Sequence, residues 1–401
     1  MVLDATQAGA PGRRVESRDN YARGSSRLGL PTTRGAELSD PGWFFGAKVC
    51  AAPIDTDTPE TAVLGLTPEL PKRQQESPSR MTNEAQKRET PGRRSGICTL
   101  FEGDYHIGLA AFLNSLAHAG YAGTVWVGYR GPLPPWLNQL RRTTQEAHEY
   151  EIAGQIQLVF LPVETQIHLT NYKPWLMLDL LAGAAHDCDF LWYFDPDIFL
   201  RAPWTFFANW QRYGIALCQE IVNNNLPADA PLRHEWMEAA SRLGLSNPRP
   251  LDRYYNGGLV GIPRDHAHFL VIWRRLIEHA GEVGYDLTGM MPGTRDMPFH
   301  ASDQDALNIA AMYSEFPLST LGPQGMGFIP GDVKMFHTVG VKPWKGSFLL
   351  RAIAGKPPSD AMKYFLTQLS SPIRPYSPLG LRAKKLACSV AALIGRFYRR
   401  R

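Results

Sequence analysis

The alternation of apolar and polar positions changes character near residue 95. Before that point the chain is rich in Gly, Pro, Ser, Thr and Arg, holds no sustained strand or helix period, and carries one small apolar island, Trp43-Phe44-Phe45. Residues 1–94 therefore read as a mostly disordered segment. From Ser95 onward, short apolar runs alternate with amphipathic stretches. Residues 96–101, 124–129, 156–163 and 190–194 have the length and composition of buried strands. Residues 106–119 set Ile107, Leu109, Phe112 and Leu116 on or near one helical face, and 267–280 do the same with Phe269, Ile272, Trp273 and Leu276. Helices are also expected over 175–185 and 303–312, and strands over 215–218 and 259–262, the latter with Gly257-Gly258 immediately ahead of it. The segment after Pro317 reads as loop, with Gly322, Gly325, Gly327 and Gly331. Strands alternating with helices predict an α/β domain over 95–371, with a central, mostly parallel sheet flanked by helices.

Composition narrows the picture. A chain of 401 residues with 44% hydrophobic content can bury a large core. The net charge of +4 is modest and concentrated toward the two ends, so no basic face for nucleic acid is expected. Five scattered cysteines (Cys50, Cys98, Cys188, Cys218, Cys388) form no Cys-x-x-Cys pair, which fits reduced thiols and a cytoplasmic setting. The first residues lack the apolar core of a signal peptide, and no apolar run approaches the ~20 residues that span a bilayer.

Candidate chemistry begins at Asp195-Pro196-Asp197, which closes the apolar run 190–194. Residues i and i+2 of an extended chain share a face, so both carboxylates can reach one divalent cation. Pro196 lacks an N–H and would interrupt a central strand, which places the pair at the strand's end, where ligands collect in open α/β sheets. Taken alone, the tripeptide reads equally well as a solvated acidic turn. No Gly-x-Gly-x-x-Gly follows the first strand and no Gly-Lys-Ser/Thr loop occurs, so any nucleotide phosphates must be neutralised by other means.

Three further motifs follow in order: Tyr254-Tyr255-Asn256-Gly257-Gly258, Ser302-Asp303-Gln304-Asp305-Ala306-Leu307-Asn308, and Phe336-His337-Thr338-Val339-Gly340-Val341-Lys342-Pro343-Trp344. Together with the acidic pair, over about residues 96–347, they resemble the glycogenin and lipopolysaccharide galactosyltransferase family, retaining nucleotide-sugar transferases of GT-A fold (glycosyltransferase family 8-like). The resemblance implies transfer of a sugar from a nucleotide-diphosphate-sugar donor to a glycan or lipid-linked glycan acceptor, with Mn²⁺ or Mg²⁺ as cofactor. It implies Asp195, Asp197 and His337 as metal ligands, an oxygen and nitrogen set compatible with Mn²⁺. Stabilising the departing diphosphate is the main catalytic task, and a cation bridging its oxygens serves it.

By the same resemblance Lys342 and Lys173 face the diphosphate, and Gly340 lets backbone approach it. Asn256 contacts sugar hydroxyls, and Gly257 and Gly258 leave room for the sugar. Asp303 orients the acceptor hydroxyl and Gln304 sits beside the anomeric carbon. Glu102 and Tyr105 contact base and ribose. Gln304 is a poor nucleophile, which leaves a front-face displacement and a covalent intermediate both open. Plainer readings stand beside these: a packed His337, a surface Lys173, a Gly-Gly turn, a packing Trp344, and a helix cap from Ser302 and Asp305. Glu102 replaces the family's usual Asp and Gly257 its usual Ala, which leaves base and donor sugar open. A metal-dependent phosphohydrolase would need a further carboxylate cluster, and a non-catalytic binding module would keep the pocket without turnover.

Residues 372–401 are expected to leave the domain. Leu386, Val390, Leu393, Ile394 and Phe397 fall on one helical stripe beside Lys384, Lys385 and the terminal arginines. A basic amphipathic helix of this kind suits peripheral contact with the inner membrane face through residues 382–401; the alternative is a helix docked on its own domain.

Overall fold

The computed structural model describes residues 94–144, 148–221, 225–291 and 297–397. The expectation for residues 1–94 thus falls outside the described residues, Arg94 excepted. The strands are β1 (Ser95–Glu102), β2 (Gly123–Arg130), β3 (Arg141–Arg142), β4 (Glu149–Ile152), β5 (Ile156–Pro162), β6 (Phe190–Phe194), β7 (Ile198–Leu200), β8 (Ile215–Gln219), β9 (Tyr255–Pro263), β10 (Leu318–Leu321) and β11 (Met335–His337). The α-helices are α1 (His106–His118), α2 (Lys173–Ala182), α3 (Trp204–Trp210), α4 (Pro231–Arg242), α5 (His268–Glu282), α6 (Ser302–Tyr313), α7 (Phe348–Ile353), α8 (Asp360–Thr367) and α9 (Pro378–Ile394).

Nine strands form one mixed, mostly parallel sheet in the order β10-β8-β9-β6-β1-β2-β5-β4-β3, flanked by helices, while β7 and β11 pair separately. Each central strand is buried on both faces, which is why its sequence is continuously apolar rather than alternating. Along β6, Phe190, Trp192 and Phe194 enter the core shared with α1 and the C-terminal helices, and Leu191 and Tyr193 enter the opposite core with α2, α5 and α6. The chain runs β1, β2, β5 outward in one direction and then returns to β6 on the other side of β1. That reversal opens a crevice at the carboxyl ends of β1 and β6, the usual ligand position in such sheets.

β4 and β9 run against the other strands of the sheet, and β9 also departs from the expected boundary. β9 is antiparallel to both β6 and β8, so its first residues lie beside the carboxyl ends of both neighbours. It starts at Tyr255, which places Asn256-Gly257-Gly258 inside the strand rather than ahead of it. The early start is held by Asn308 on α6. Its side-chain oxygen accepts from the Tyr255 N–H at 2.7 Å and its amide donates to the Tyr255 carbonyl at 2.8 Å, imitating a ladder partner.

The stretch read as loop after Pro317 contains β10, paired parallel with β8. The expected departure at Pro372 does not occur either. Ile373 is fully buried, and Leu381, Cys388 and Ala391 of α9 join the α1 core. Asn114 on α1 fastens this segment: its amide donates to the carbonyls of Gln368 (2.6 Å) and Ile373 (2.8 Å), and its oxygen accepts from the Ile373 N–H (2.8 Å). The partners lie more than 250 positions away, so periodicity within residues 372–401 carries no sign of the attachment.

Replacing Asn114 with Ala leaves three buried backbone groups unpaired. The expected outcome is a loss of about 2–3 kcal/mol in chemical denaturation, with faster amide exchange over residues 368–391.

Candidate active site

Where β6 ends, the Asp195 N–H donates to the Gly258 carbonyl of β9 at 2.8 Å, and the Ile198 N–H closes a turn onto the Asp195 carbonyl at 3.0 Å. The turn carries Pro196 and delivers Asp197 to the head of β7. β7 then pairs antiparallel with β11 in a register that sets His337 opposite Ile198. This ladder brings the imidazole to the acids across about 140 positions of sequence. His337 Nε2 lies 3.5 Å from Asp197 Oδ1 and 4.0 Å from Asp195 Oδ2.

One donor atom from each of Asp195, Asp197 and His337 lies within 4.8 Å of the others. Two carboxylates and an imidazole suit a divalent transition ion. The surroundings fit such an ion. Gly258 keeps the space beside the triad clear. A Cβ at Gly258 would stand 2.7 Å from Asp195 Oδ2 and 2.8 Å from His337 Cε1.

Two ammonium groups balance the acids. Lys342 Nζ lies 2.5 Å from Asp197 Oδ2 and donates to the Thr338 carbonyl at 2.9 Å. Burial would raise the Asp197 carboxyl, but Lys342 and His337 overcome this and hold it well below the ordinary carboxylate range. Lys173, at the start of α2, is fully buried. It donates to Asp303 Oδ2 at 2.8 Å and the Gly257 carbonyl at 2.9 Å, and sits 3.3 Å from Asp195 Oδ1. Burial alone would lower its ammonium; Asp195 and Asp303 reverse the effect and raise it. Lys173 thus bridges the acidic pair to α6, a placement different from an ammonium open to a diphosphate. Its burial is sustained by carboxylates distant in sequence.

The first turn of α6 faces the same space. Asp303 is raised by burial against the lowering influence of Lys173. Gln304 accepts the Gly257 N–H on Oε1 at 2.8 Å. The expected cap differs in detail. Ser302 donates to Asn171 Oδ1 rather than capping the helix, while Asp305 reaches back to the Ala301 N–H at 2.8 Å and accepts the Tyr254 hydroxyl at 2.6 Å. Burial pushes the Asp305 carboxyl up to about 7 against the lowering effect of both hydrogen bonds.

Asn256 is held by Glu220 at the end of β8, whose Oε2 accepts the Asn256 amide at 2.5 Å, while Asn256 Oδ1 accepts the Gly258 N–H at 2.9 Å. At the other end, Glu102 pairs with Arg130 of β2 at 2.7 Å, and Arg130 is anchored on the carbonyls of Thr165 and Ile167. Tyr105 meets Trp344 edge-on at 5.4 Å with Lys342 and Lys345 over its ring. Trp344 is nearly buried against Gly108, where an added Cβ would collide with it, so it anchors the loop by packing. Gly340 has φ +72° with open space at its Cβ position, so the backbone turn itself calls for glycine there.

All of the sequence-predicted site residues border one cavity of about 520 Å³. Glu220, Arg130 and Tyr193 were missed. Tyr193, which donates to Asp195 Oδ1 at 2.9 Å, was hidden in an apolar run; Glu220 follows a strand end, a position that could have marked it. Among the described residues no helix is long and apolar enough to cross a membrane, and Cys98, Cys188, Cys218 and Cys388 are buried and unpaired with one another.

No protein-family model matches the chain, and no curated protein matches it. Among solved structures it is similar to the apo structure of WbbM, a bifunctional glycosyltransferase, at 14% identity and a TM-score of 0.45, over 73% of this chain and 52% of that one. The chain therefore spans about half the length of that structure.

Gly258→Ala puts a methyl group against two of the three candidate ligands. Titration calorimetry is expected to show Mn²⁺ affinity reduced at least about tenfold, with secondary structure retained. Asp305 yields a pH dependence. Its carboxyl, raised from 3.8 to about 7, favours the folded state most below pH 3.8, and that contribution is lost as pH rises through 7. Urea titrations should show wild type losing stability relative to Asp305→Asn between about pH 4 and pH 7 and no further loss above, at up to about 1.4 kcal/mol per pH unit.

Proposed function

We propose that the chain is a metal-dependent glycosyltransferase of GT-A type, moving a sugar from a nucleotide-diphosphate donor to a glycan or lipid-linked glycan acceptor with retention at the anomeric carbon. The supporting observation is the convergence of Asp195, Asp197, His337 and Lys342 on a cavity at the carboxyl ends of β1, β6 and β8. When bound, Mn²⁺ (or Mg²⁺) supplies Lewis-acid stabilisation of the departing diphosphate. Asp195, Asp197 and His337 would hold it.

The chain's own groups carry the remaining roles. Glu102 and Tyr105, at the end of β1, receive base and ribose, with Arg130 fixing the Glu102 carboxylate. Lys342 neutralises Asp197 in the ligand-free site and turns to the diphosphate when the donor enters; Gly340 permits that loop its backbone turn. Lys173, bonded to Asp303 at 2.8 Å, holds that carboxyl aimed at the acceptor hydroxyl. Asn256, oriented by Glu220, and the bare backbone of Gly257 and Gly258 form the floor under the sugar.

With Gln304 Oε1 occupied by the Gly257 N–H, the amide serves to position rather than to attack, which favours front-face displacement over a covalent intermediate. A phosphohydrolase built on two metals is disfavoured, since the described residues hold no second group of three such ligands.

A panel of nucleotide sugars with Mn²⁺ tests the reading. Wild type is expected to release nucleoside diphosphate from one donor class, and Asp197→Asn to lose about a hundredfold or more of that rate. Unchanged release in Asp197→Asn refutes a metal-templated site, and an inverted anomeric centre by NMR refutes retention. Lys342→Met removes a cation that competes for Asp197. It should bind Mn²⁺ alone several-fold more tightly than wild type and bind nucleoside diphosphate more weakly, both read by calorimetry.

A further inference from the structure

We propose that the outward face of α9 is a docking surface for an anionic lipid bilayer. The helix is apolar on two opposite sides. Its inward side, with Leu381, Cys388 and Ala391, is buried in the α1 core and accounts for its attachment. Its outward side carries Leu379, Leu386, Val390 and Leu393, which are 41% to 76% exposed, and Phe397, 82% exposed, follows in the turn beyond the helix end. The helical four are separated by seven, four and three residues, which sets them on one line of the helix surface. Ile394, expected on that stripe, turns partly inward against the core, and Leu379 extends the line instead. α7, packed beside α9, adds exposed Leu350. Folding does not require this face to be apolar, because the opposite face already secures the helix.

Charge selects the occupant. Arg382 and Lys385 are exposed along one flank of the stripe and Arg396 follows its end, while Lys384 is turned back over the Tyr376 ring. No Asp or Glu occurs after Asp360. A symmetric contact between two copies through this face would bring Arg382 and Lys385 of each against like charge. An anionic surface receives the cations at headgroup level while the leucines and Phe397 enter the acyl boundary, the arrangement of an interfacial helix. The 17 residues of α9 lying flat would cover about 25 Å of surface. Of the expected contact region, residues 398–401 lie outside the described residues. The inference is independent of sugar transfer and stands or falls separately from it.

Vesicle flotation of the full chain decides it. The chain is expected to float with phosphatidylcholine vesicles carrying about one third phosphatidylglycerol, to stay in solution with phosphatidylcholine alone, and to be released by high salt. Leu386→Asp/Leu393→Asp should weaken binding about tenfold or more without changing the thermal midpoint, since both positions are exposed. Arg382→Glu/Lys385→Glu, which leaves the apolar stripe intact, should also weaken it and serves if the first variant fails to fold. Absence of flotation, equal binding to neutral vesicles, or binding unaffected by either pair overturns the proposal. So does a concentration-dependent dimer dissolved by Leu386→Asp/Leu393→Asp, which would make the face a contact between copies.

Discussion

A ladder of three residue pairs holds the site together. β7 and β11 meet at Ile198–His337, Phe199–Phe336 and Leu200–Met335, and the first pair sets the imidazole beside the second carboxylate. So short a ribbon is marginal by itself. It is sustained because Phe199 and Met335 are fully buried and Leu200 nearly so, and because Thr338 continues the attachment by donating its N–H to the Asp197 carbonyl at 3.1 Å. The geometry of the candidate ligands is therefore a consequence of core packing beneath them. A shift of one residue in that register would turn His337 to the opposite side of the ribbon.

Charge compensation is the second constraint. Asp195, Asp197 and Asp303 converge in a region largely closed to solvent, where isolated carboxylates would be driven to the neutral form. Lys342, from the loop after β11, outweighs burial at Asp197, while Lys173, from the start of α2, opposes it at Asp303. Their exposures differ in a way that separates their roles: the Lys342 side chain is 14% exposed and the Lys173 side chain 2%. Lys173 is locked into the scaffold, whereas Lys342 sits on a loop turned at Gly340 and borders the cavity.

Much of this was legible in the chain because doubly buried strands and the α5 stripe leave strong apolar signatures. The same holds for the acidic pair, whose chemistry and position after an apolar run are local properties. What could not be read depends on distant partners. β7 and β11 are too short to show a period. β10 hides in a Gly-rich stretch because its pairing with β8 replaces intrinsic propensity. The start of β9 is set by one side chain, Asn308, about fifty positions away. Lys173 looks like a surface lysine until three groups from three other segments close around it. The attachment of α9 likewise depends on Asn114 and the α1 core, so the apolar residues most visible in sequence turned out mainly to be the ones left facing outward.

Pulsed electron paramagnetic resonance of Mn²⁺ added with a nucleoside diphosphate is the most direct test of the shared centre. The expected spectrum shows nitrogen coupling from a single imidazole in wild type, absent in His337→Gln while the ion remains bound through the two carboxylates. Bound Mn²⁺ without nitrogen coupling in the wild type, or coupling that survives loss of His337, would contradict the assembly of Asp195, Asp197 and His337 around one ion.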